Sequence, residues 1–172
     1  MLPNFKKNTN KNNYFATEAT GDLMKTITTN KKAFHDYSIT ETYEAGIALK
    51  GDEVKSIRAK QVSINEAFAT VHDGQIWLLN CFIGSYSHAF DKKQDERQRR
   101  RLLLKKQEIN KLIGAVSRKG LTLIPLKMYI SDRGFVKIEL GLATHKKKSD
   151  KKQELKERDI ARETRRELRG RN

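Results

Sequence analysis

The side chains that could do chemistry in this chain are mostly cations. His35, His72, His88 and His145 stand singly with no regular spacing, so they form no metal-ligand pattern. Cys81 is the one cysteine, which excludes an internal disulfide and a Cys-based zinc site. Gly51, Gly74 and Gly84 stand alone, so they make no glycine-rich loop of the kind that cradles a phosphate. No serine sits in a nucleophile-elbow pattern. His35-Asp36 and Glu44 could be assembled into an acid–base set, but His35 beside the Lys31-Lys32 pair reads better as a solvated or RNA-facing residue. The sequence therefore predicts no catalytic residue, no metal and no cofactor.

The cations form a different pattern. There are 36 Lys and Arg against 21 Asp and Glu, a net charge of +15. An excess of that size points to a polyanion, because each neutralised phosphate releases counterions. Lys31-Lys32, Lys55, Arg58 and Lys60 make one set. Arg99-Arg100-Arg101, Lys105-Lys106 and Lys111 make another. Any one of these runs alone reads as a solvated face; together with the basic C-terminal segment they point to RNA. Tyr86 and Phe90, in a charged stretch, are candidates for stacking on bases. Trp77, in the apolar run 76–81, reads as core, and Cys81 as a buried small residue.

Three zones must position these residues. Residues 1–29, rich in Asn, Thr and Lys, read as a disordered N-terminal extension. Residues 30–144 carry nearly all the hydrophobic periodicity. Alternation predicts strands over 37–49, 67–72, 76–81, 121–130 and 135–142. Asp73-Gly74 marks a tight hairpin, and Pro125 an edge or bulge. A short helix is expected over 52–58, capped by Asp52, and a longer one over 102–116. Residues 84–101 read as an exposed loop. The sum is a mainly β protein. The best fit is a small antiparallel barrel of the oligonucleotide-binding kind, five-stranded and partly open, with short flanking helices. Residues 145–172, with twelve Lys and Arg against six Asp and Glu, read as a basic tail, disordered alone and helical against RNA. No apolar run suits a signal peptide or a membrane span, so a cytoplasmic protein with no membrane partner is expected.

Several ordered motifs carry a resemblance. They are Asn30-Lys31-Lys32-Ala33-Phe34-His35-Asp36-Tyr37, Glu41-Thr42-Tyr43-Glu44-Ala45-Gly46-Ile47 and Glu53-Val54-Lys55-Ser56-Ile57-Arg58-Ala59. They continue through Trp77-Leu78-Leu79-Asn80-Cys81, Arg101-Leu102-Leu103-Leu104 and Val136-Lys137-Ile138-Glu139-Leu140-Gly141-Leu142-Ala143 into the tail. In order and spacing, residues 30–172 resemble the SsrA-binding protein family, also called small protein B. The resemblance implies an oligonucleotide-binding barrel that holds the tRNA-like domain of transfer-messenger RNA and brings it to ribosomes stalled without a stop codon. It implies a tail that enters the empty messenger channel past the decoding centre of the small subunit and folds there as a helix. The nascent peptide is then tagged for degradation. Implied partners are transfer-messenger RNA, the ribosome and elongation factor Tu, with the protein a monomer that catalyses nothing.

By the same resemblance, Glu44 matches an RNA-binding carboxylate, with a structural hydrogen bond as its other reading. Leu103 and Lys105 match a second RNA-binding cluster, although Leu103 also reads as core. Lys31, Lys32, Lys55, Arg58 and Asn80 complete the RNA-binding set. In the tail, Asp150-Lys151-Lys152 matches the decoding-centre triplet, flanked by Lys147, Lys148, Lys156 and Arg158. Departures from the family pattern are Lys152 for the usual Arg, Thr144-His145 for Lys-Gly before the tail, and Lys60 for a glycine. Residues 1–29 match nothing in it. Two other readings are a generic barrel-fold translation factor that binds ribosomes or tRNA, and an RNA-processing enzyme.

Overall fold

The computed structural model describes residues 25–86 and 95–169. The elements run β1 (Lys25–Thr29), α1 (Lys31–Asp36), β2 (Tyr37–Ile47), α2 (Gly51–Arg58), β3 (Val62–Ser63), β4 (Phe68–His72) and β5 (Gln75–Leu79). They continue β6 (Phe82–Ile83), β7 (Arg100–Leu103), α3 (Lys106–Lys119), β8 (Thr122–Ile130), β9 (Val136–His145) and α4 (Lys148–Arg169). Strand alternation sorts the side chains. Ala45 and Ile47, Ile76 and Leu78, Leu102, and Ile138 and Leu140 turn inward onto Ile57, Ile64, Leu112 and Met128. The residues between them turn outward.

The sheet runs β1-β8-β4-β5-β7-β2-β9, and β9 pairs back onto β8. The expected antiparallel barrel is therefore present, closed through six strands rather than left partly open, with β1 added to β8. Closure leaves the six strands of the ring without the free edges that would otherwise pair with other chains. A separate ribbon joins β3 to β6; strands of two residues carry too little periodicity to be read from sequence. The β4–β5 hairpin turns through Asp73 and Gly74, both at positive φ (50° and 68°), as the sequence predicts.

Pro125 sits at a register shift in the β8–β9 ladder, as expected. Along the other edge of β8, β4 pairs at Leu123 and β1 takes over from Lys127 to Ile130. Asn30 fills the gap between them. Its side chain donates to the carbonyls of Ile64 and Pro125, both at 3.1 Å, and its backbone N–H donates to the carbonyl of Leu126 at 2.8 Å. Its Oδ1 accepts from the Ala33 N–H and starts α1. Every polar group of this buried side chain is thus in use. The sheet accordingly takes in Lys25–Thr29, ahead of the expected boundary at 30, because β1 supplies the next stretch of that edge. Residues 1–24 lie outside the described residues.

Two helix starts differ from expectation. The α2 cap is the Lys50–Glu53 pair rather than Asp52, with the Lys50 N–H donating to Glu53 Oε2 at 2.8 Å. The long helix begins at Lys106, because residues 100–103 are the strand β7 and Leu102 belongs to the barrel core. It also runs on past Gly114 to Gly120, which closes it at φ 59°. Arg100, counted in a basic surface run, is only 3% exposed. Alternation along β7 sends Arg100 and Leu102 inward and Arg101 and Leu103 outward.

α2 ends in a Schellman turn. The Gln61 N–H reaches the Ser56 carbonyl and the Lys60 N–H reaches that of Ile57, both at 2.9 Å. This leaves Lys60 at φ 62°. A side chain there costs roughly 1–2 kcal/mol, partly offset by the lower chain entropy of a non-glycine residue. Lys60→Gly is expected to raise stability by about 0.5–1 kcal/mol. The measurement is a urea midpoint that rises at unchanged slope; a lower midpoint would refute the strain.

The tail is helical in the chain alone over Lys148–Arg169, where the sequence leads one to expect order only against RNA. The physical reason is length. Its 22 residues lack Gly and Pro and exceed the roughly 12–15 at which an isolated helix becomes marginal. Local pairs add to this: Gln153 bonds Glu157, and Arg162 lies 3.7 Å from Asp159. The described side chains of α4 are all exposed, Ile160 included at 62%.

Candidate nucleic-acid interface

Glu44 faces outward from β2, between the inward-facing Tyr43 and Ala45. Its Oε2 accepts from the Tyr129 hydroxyl and its Oε1 from Lys137 Nζ at 2.9 Å. Register explains the grouping. Tyr129 on β8 pairs with Lys137 on β9, and Lys137 with Gly46 on β2, two residues from Glu44 on the same face. The Tyr129 hydrogen bond, then that of Lys137, hold the Glu44 carboxyl below the usual range, so it is ionised at neutral pH. Burial and the facing carboxylate push the Tyr129 phenol up, so it remains a donor. The Glu44 side chain nonetheless remains 52% exposed.

A fixed carboxylate with about two lone-pair sites left over accepts hydrogen bonds and repels phosphate. On RNA its partners are donors: a 2′-hydroxyl or an exocyclic amine. Lys137 and Lys127, whose Nζ lies 5.5 Å from the Tyr129 ring centroid, supply cations beside it. These two bonds meet the structural reading of Glu44, and they leave its carboxylate half exposed to solvent.

The next cross-strand step brings in Leu103, paired with Gly46. Leu103 is 48% exposed, so it is not core; its neighbour Leu102 is. Gly46 allows this, because a Cβ there would lie 3.3 Å from the Leu103 Cβ. Lys105 follows as the exposed N-cap of α3, its N–H bonded to Glu108 Oε2 at 2.9 Å. The structure thus brings Glu44 and Leu103 onto one face of the β2–β7 pair, with Lys105 two residues beyond Leu103 at the start of α3. Sequence reasoning missed Lys137 and Tyr129 as partners. Alternation in 136–142 places Lys137 outward, but the register that sets it beside Glu44 is not visible in one chain.

The other expected contacts lie elsewhere. Arg58 and Lys25 line a cavity of about 470 Å3 at the β8–β9 turn with Ser131, Asp132 and Gly134. Lys55 points to Asp52 at 3.4 Å and over the Tyr86 ring at 5.0 Å. Phe90 lies outside the described residues. Asn80 is held as a turn residue: its φ is +57°, Arg97 donates to its Oδ1 at 2.9 Å, and its Nδ2 donates to the Glu66 carbonyl at 3.2 Å. Lys111 pairs with Glu41 at 2.7 Å. His35 bonds Asp36, while Glu44 is held by Tyr129 and Lys137, so the acid–base set is not assembled. Among the described residues no group of His, Cys, Asp and Glu could hold a metal. Cys81 is buried as expected, and burial pushes its thiol up to about 11.

Lys31 and Lys32 are exposed on α1, whose last carbonyls hold the root of the tail. Lys146 donates its N–H to the Asp36 carbonyl at 2.9 Å and its Nζ to that of Phe34 at 3.0 Å. Tyr37 pairs with His145 across the strands, their rings edge to face at 5.1 Å. Thr144-His145 therefore extends β9, and only Lys146 and Lys147 separate strand from helix. α4 carries Lys148, Asp150, Lys151, Lys152, Lys156 and Arg158 along its first three turns, and Lys152 and Lys156, four apart, are both exposed.

A family model described as SmpB protein matches residues 27–170. The chain belongs to the SmpB family. It is 51% identical over 145 residues to the SsrA-binding protein of Coprothermobacter proteolyticus, covering 84% of this chain and 97% of that one. It is 50% identical over 147 residues to the SsrA-binding protein of Bacillus cereus, covering 86% and 94%. A chain from a solved structure, described as "tmRNA-SmpB: a journey to the center of the bacterial ribosome", superposes with a TM-score of 0.59 at 50% identity, covering 70% of this chain and 85% of the other. The SmpB match extends through α4, so barrel and tail belong to one family unit. No described helix is long and apolar enough to cross a membrane.

Proposed function

We propose that the protein works in trans-translation as a non-catalytic RNA-binding protein. It holds the tRNA-like domain of transfer-messenger RNA on its barrel, delivers it with elongation factor Tu as a monomer to stalled ribosomes in the cytoplasm, and sends α4 into the empty messenger channel. The observation that carries this reading is the ionised Glu44 carboxylate, held by Tyr129 and Lys137 yet half exposed beside Leu103, in a chain of the SmpB family. A carboxylate is a poor ligand for phosphate and a good one for 2′-hydroxyls and base amines, which suits a protein that reads one folded RNA.

In α4, Asp150-Lys151-Lys152 spans the first turn and the start of the second, close to its root on α1. A helix of 22 residues is about 33 Å long, a basic rod suited to a phosphate-lined channel. Bound message would exclude it by charge and volume. This makes the tail a probe of an empty channel.

Glu44→Phe is expected to weaken binding of the tRNA-like RNA by about 10- to 100-fold, the worth of hydrogen bonds to a charged group, with the circular dichroism spectrum unchanged. Unaltered affinity would return Glu44 to a structural role only. Competition with bulk tRNA is the companion measurement. Equal affinity for both would favour a general tRNA- or ribosome-binding factor. Metal-dependent RNA cleavage that His35→Ala abolishes would overturn the non-catalytic assignment.

A further inference from the structure

The outward face of the barrel does not end at Leu103. Register carries it on: Leu102 and Arg101 on β7 pair with Ile76 and Trp77 on β5, and Trp77 pairs with Thr70 on β4. Ile76 and Leu102 are core, so Arg101 and Trp77 share the outward face with Leu103. The Arg99 guanidinium carbon lies 5.2 Å from the Trp77 ring centroid. Phe68, 42% exposed, lies at the far end of β4, opposite Leu79.

Three features of this face call for a ligand. Arg99 and Arg101 make no ion pair with any acid among the described residues. Trp77 itself is only half-buried on this face. Exposed apolar side chains at both ends, Phe68 and Leu103, flank unpaired cations. A protein partner would have to bring its own acids to such a surface; RNA brings phosphates for the arginines and flat base faces for the rings.

We propose that this face of β4, β5 and β7 is a second RNA-contact surface, continuous with the Glu44–Leu103 site, on which the Arg99–Trp77 stack receives an unpaired base. The proposal rests on the RNA-binding reading above and adds a base-stacking component to it. A guanidinium lying over an indole offers its free face to a base, while Arg101 reaches the adjoining phosphate.

Trp77 is the one tryptophan of the chain, so its emission reports this surface alone. The full chain is titrated with the tRNA-like domain of transfer-messenger RNA, following affinity by filter binding and Trp77 fluorescence in parallel. Saturable quenching with the same midpoint as binding is expected. Arg99→Ala and Trp77→Leu should each weaken binding about tenfold, while Trp77→Phe retains most of the affinity. Tight binding that is lost in Glu44→Phe, with Trp77 emission unchanged and the Arg99→Ala affinity normal, would overturn this surface and leave the function standing. Absence of binding in both readouts would overturn the function and this surface together. Emission that changes with protein concentration alone would assign the face to a second copy of the chain and overturn the RNA assignment.

Discussion

Arg100→Met is expected to destabilise the protein by about 3–5 kcal/mol, the cost of stranding one member of a buried ion pair. Arg100 donates Nε to Glu53 Oε1 at 2.7 Å, Nη1 to the carbonyls of Cys81 and Gln98 at 2.7 and 3.0 Å, and Nη2 to that of Glu96 at 3.2 Å. Glu53 in turn accepts from the Lys50 N–H and from the Gln98 amide at 2.9 Å. One pair therefore ties the start of α2, the β5–β6 corner and the entry to β7. Against a total of about 5–15 kcal/mol for a domain, the loss is large. The expected readout is a fall in the urea midpoint at pH 7. A loss below about 1 kcal/mol would place the pair among weak surface bridges.

Acid supplies a second check. Burial pushes the Glu53 carboxyl up, but the Lys50 N–H, the Gln98 amide and the Arg100 guanidinium outweigh it and hold it below the usual range. A depressed carboxyl contributes stability above the unfolded-state value, about 4.3, and loses it as the pH falls through the folded value. In Arg100→Met burial remains without its counter-charge, so the carboxyl should move up and the sign reverse. The deficit of the variant is expected to shrink between pH 7 and pH 5. Glu53→Gln in the same background should recover part of the loss. A deficit independent of pH would show that the charge of Glu53 is not what Arg100 balances.

The second large effect separates the two halves of the molecule. Removing residues 148–172 is expected to leave affinity for the tRNA-like RNA within about threefold, because the face around Glu44 is untouched and each lost phosphate contact is modest. Peptide tagging on stalled ribosomes should nevertheless disappear. The cut belongs after Lys147 rather than before His145, since His145 is the last rung of β9 and Lys146 is bonded to α1. Binding and tagging are measured on the same preparation. Parallel loss of both would mean that the tail grips the free RNA; normal tagging would remove it from rescue altogether.

How far the sequence reaches depends on how local the determining interaction is. The hairpin at Asp73-Gly74 and the bulge at Pro125 were legible because one or two residues decide each. Cys81 was legible from the apolar run around it. The start of the long helix was not, since Leu102 suits a helical stripe and a β7 core position equally well. The run Arg99-Arg100-Arg101 reads as three surface cations until strand alternation turns the middle one inward. Glu44 could be picked out as a candidate because its motif lies on a single strand, β2. Its partners Tyr129 and Lys137 come from strands more than eighty residues away. Asn30 is a similar case: its buried role exists only because β4 and β1 leave a gap along β8.

β9 carries Lys137 near one end and His145 at the other. Eight residues of strand set these positions about 26 Å apart, and the ladders to β2 and β8 prevent that length from stretching. The strand is therefore a ruler between the proposed RNA-contact site and the root of α4. Adding one residue to it would turn every later side chain to the opposite face. Natural length variation in chains of this kind should be scarce between 137 and 145. A glycine pair at 144–145 would trade the ruler for a swivel, keeping the length and giving up the angle.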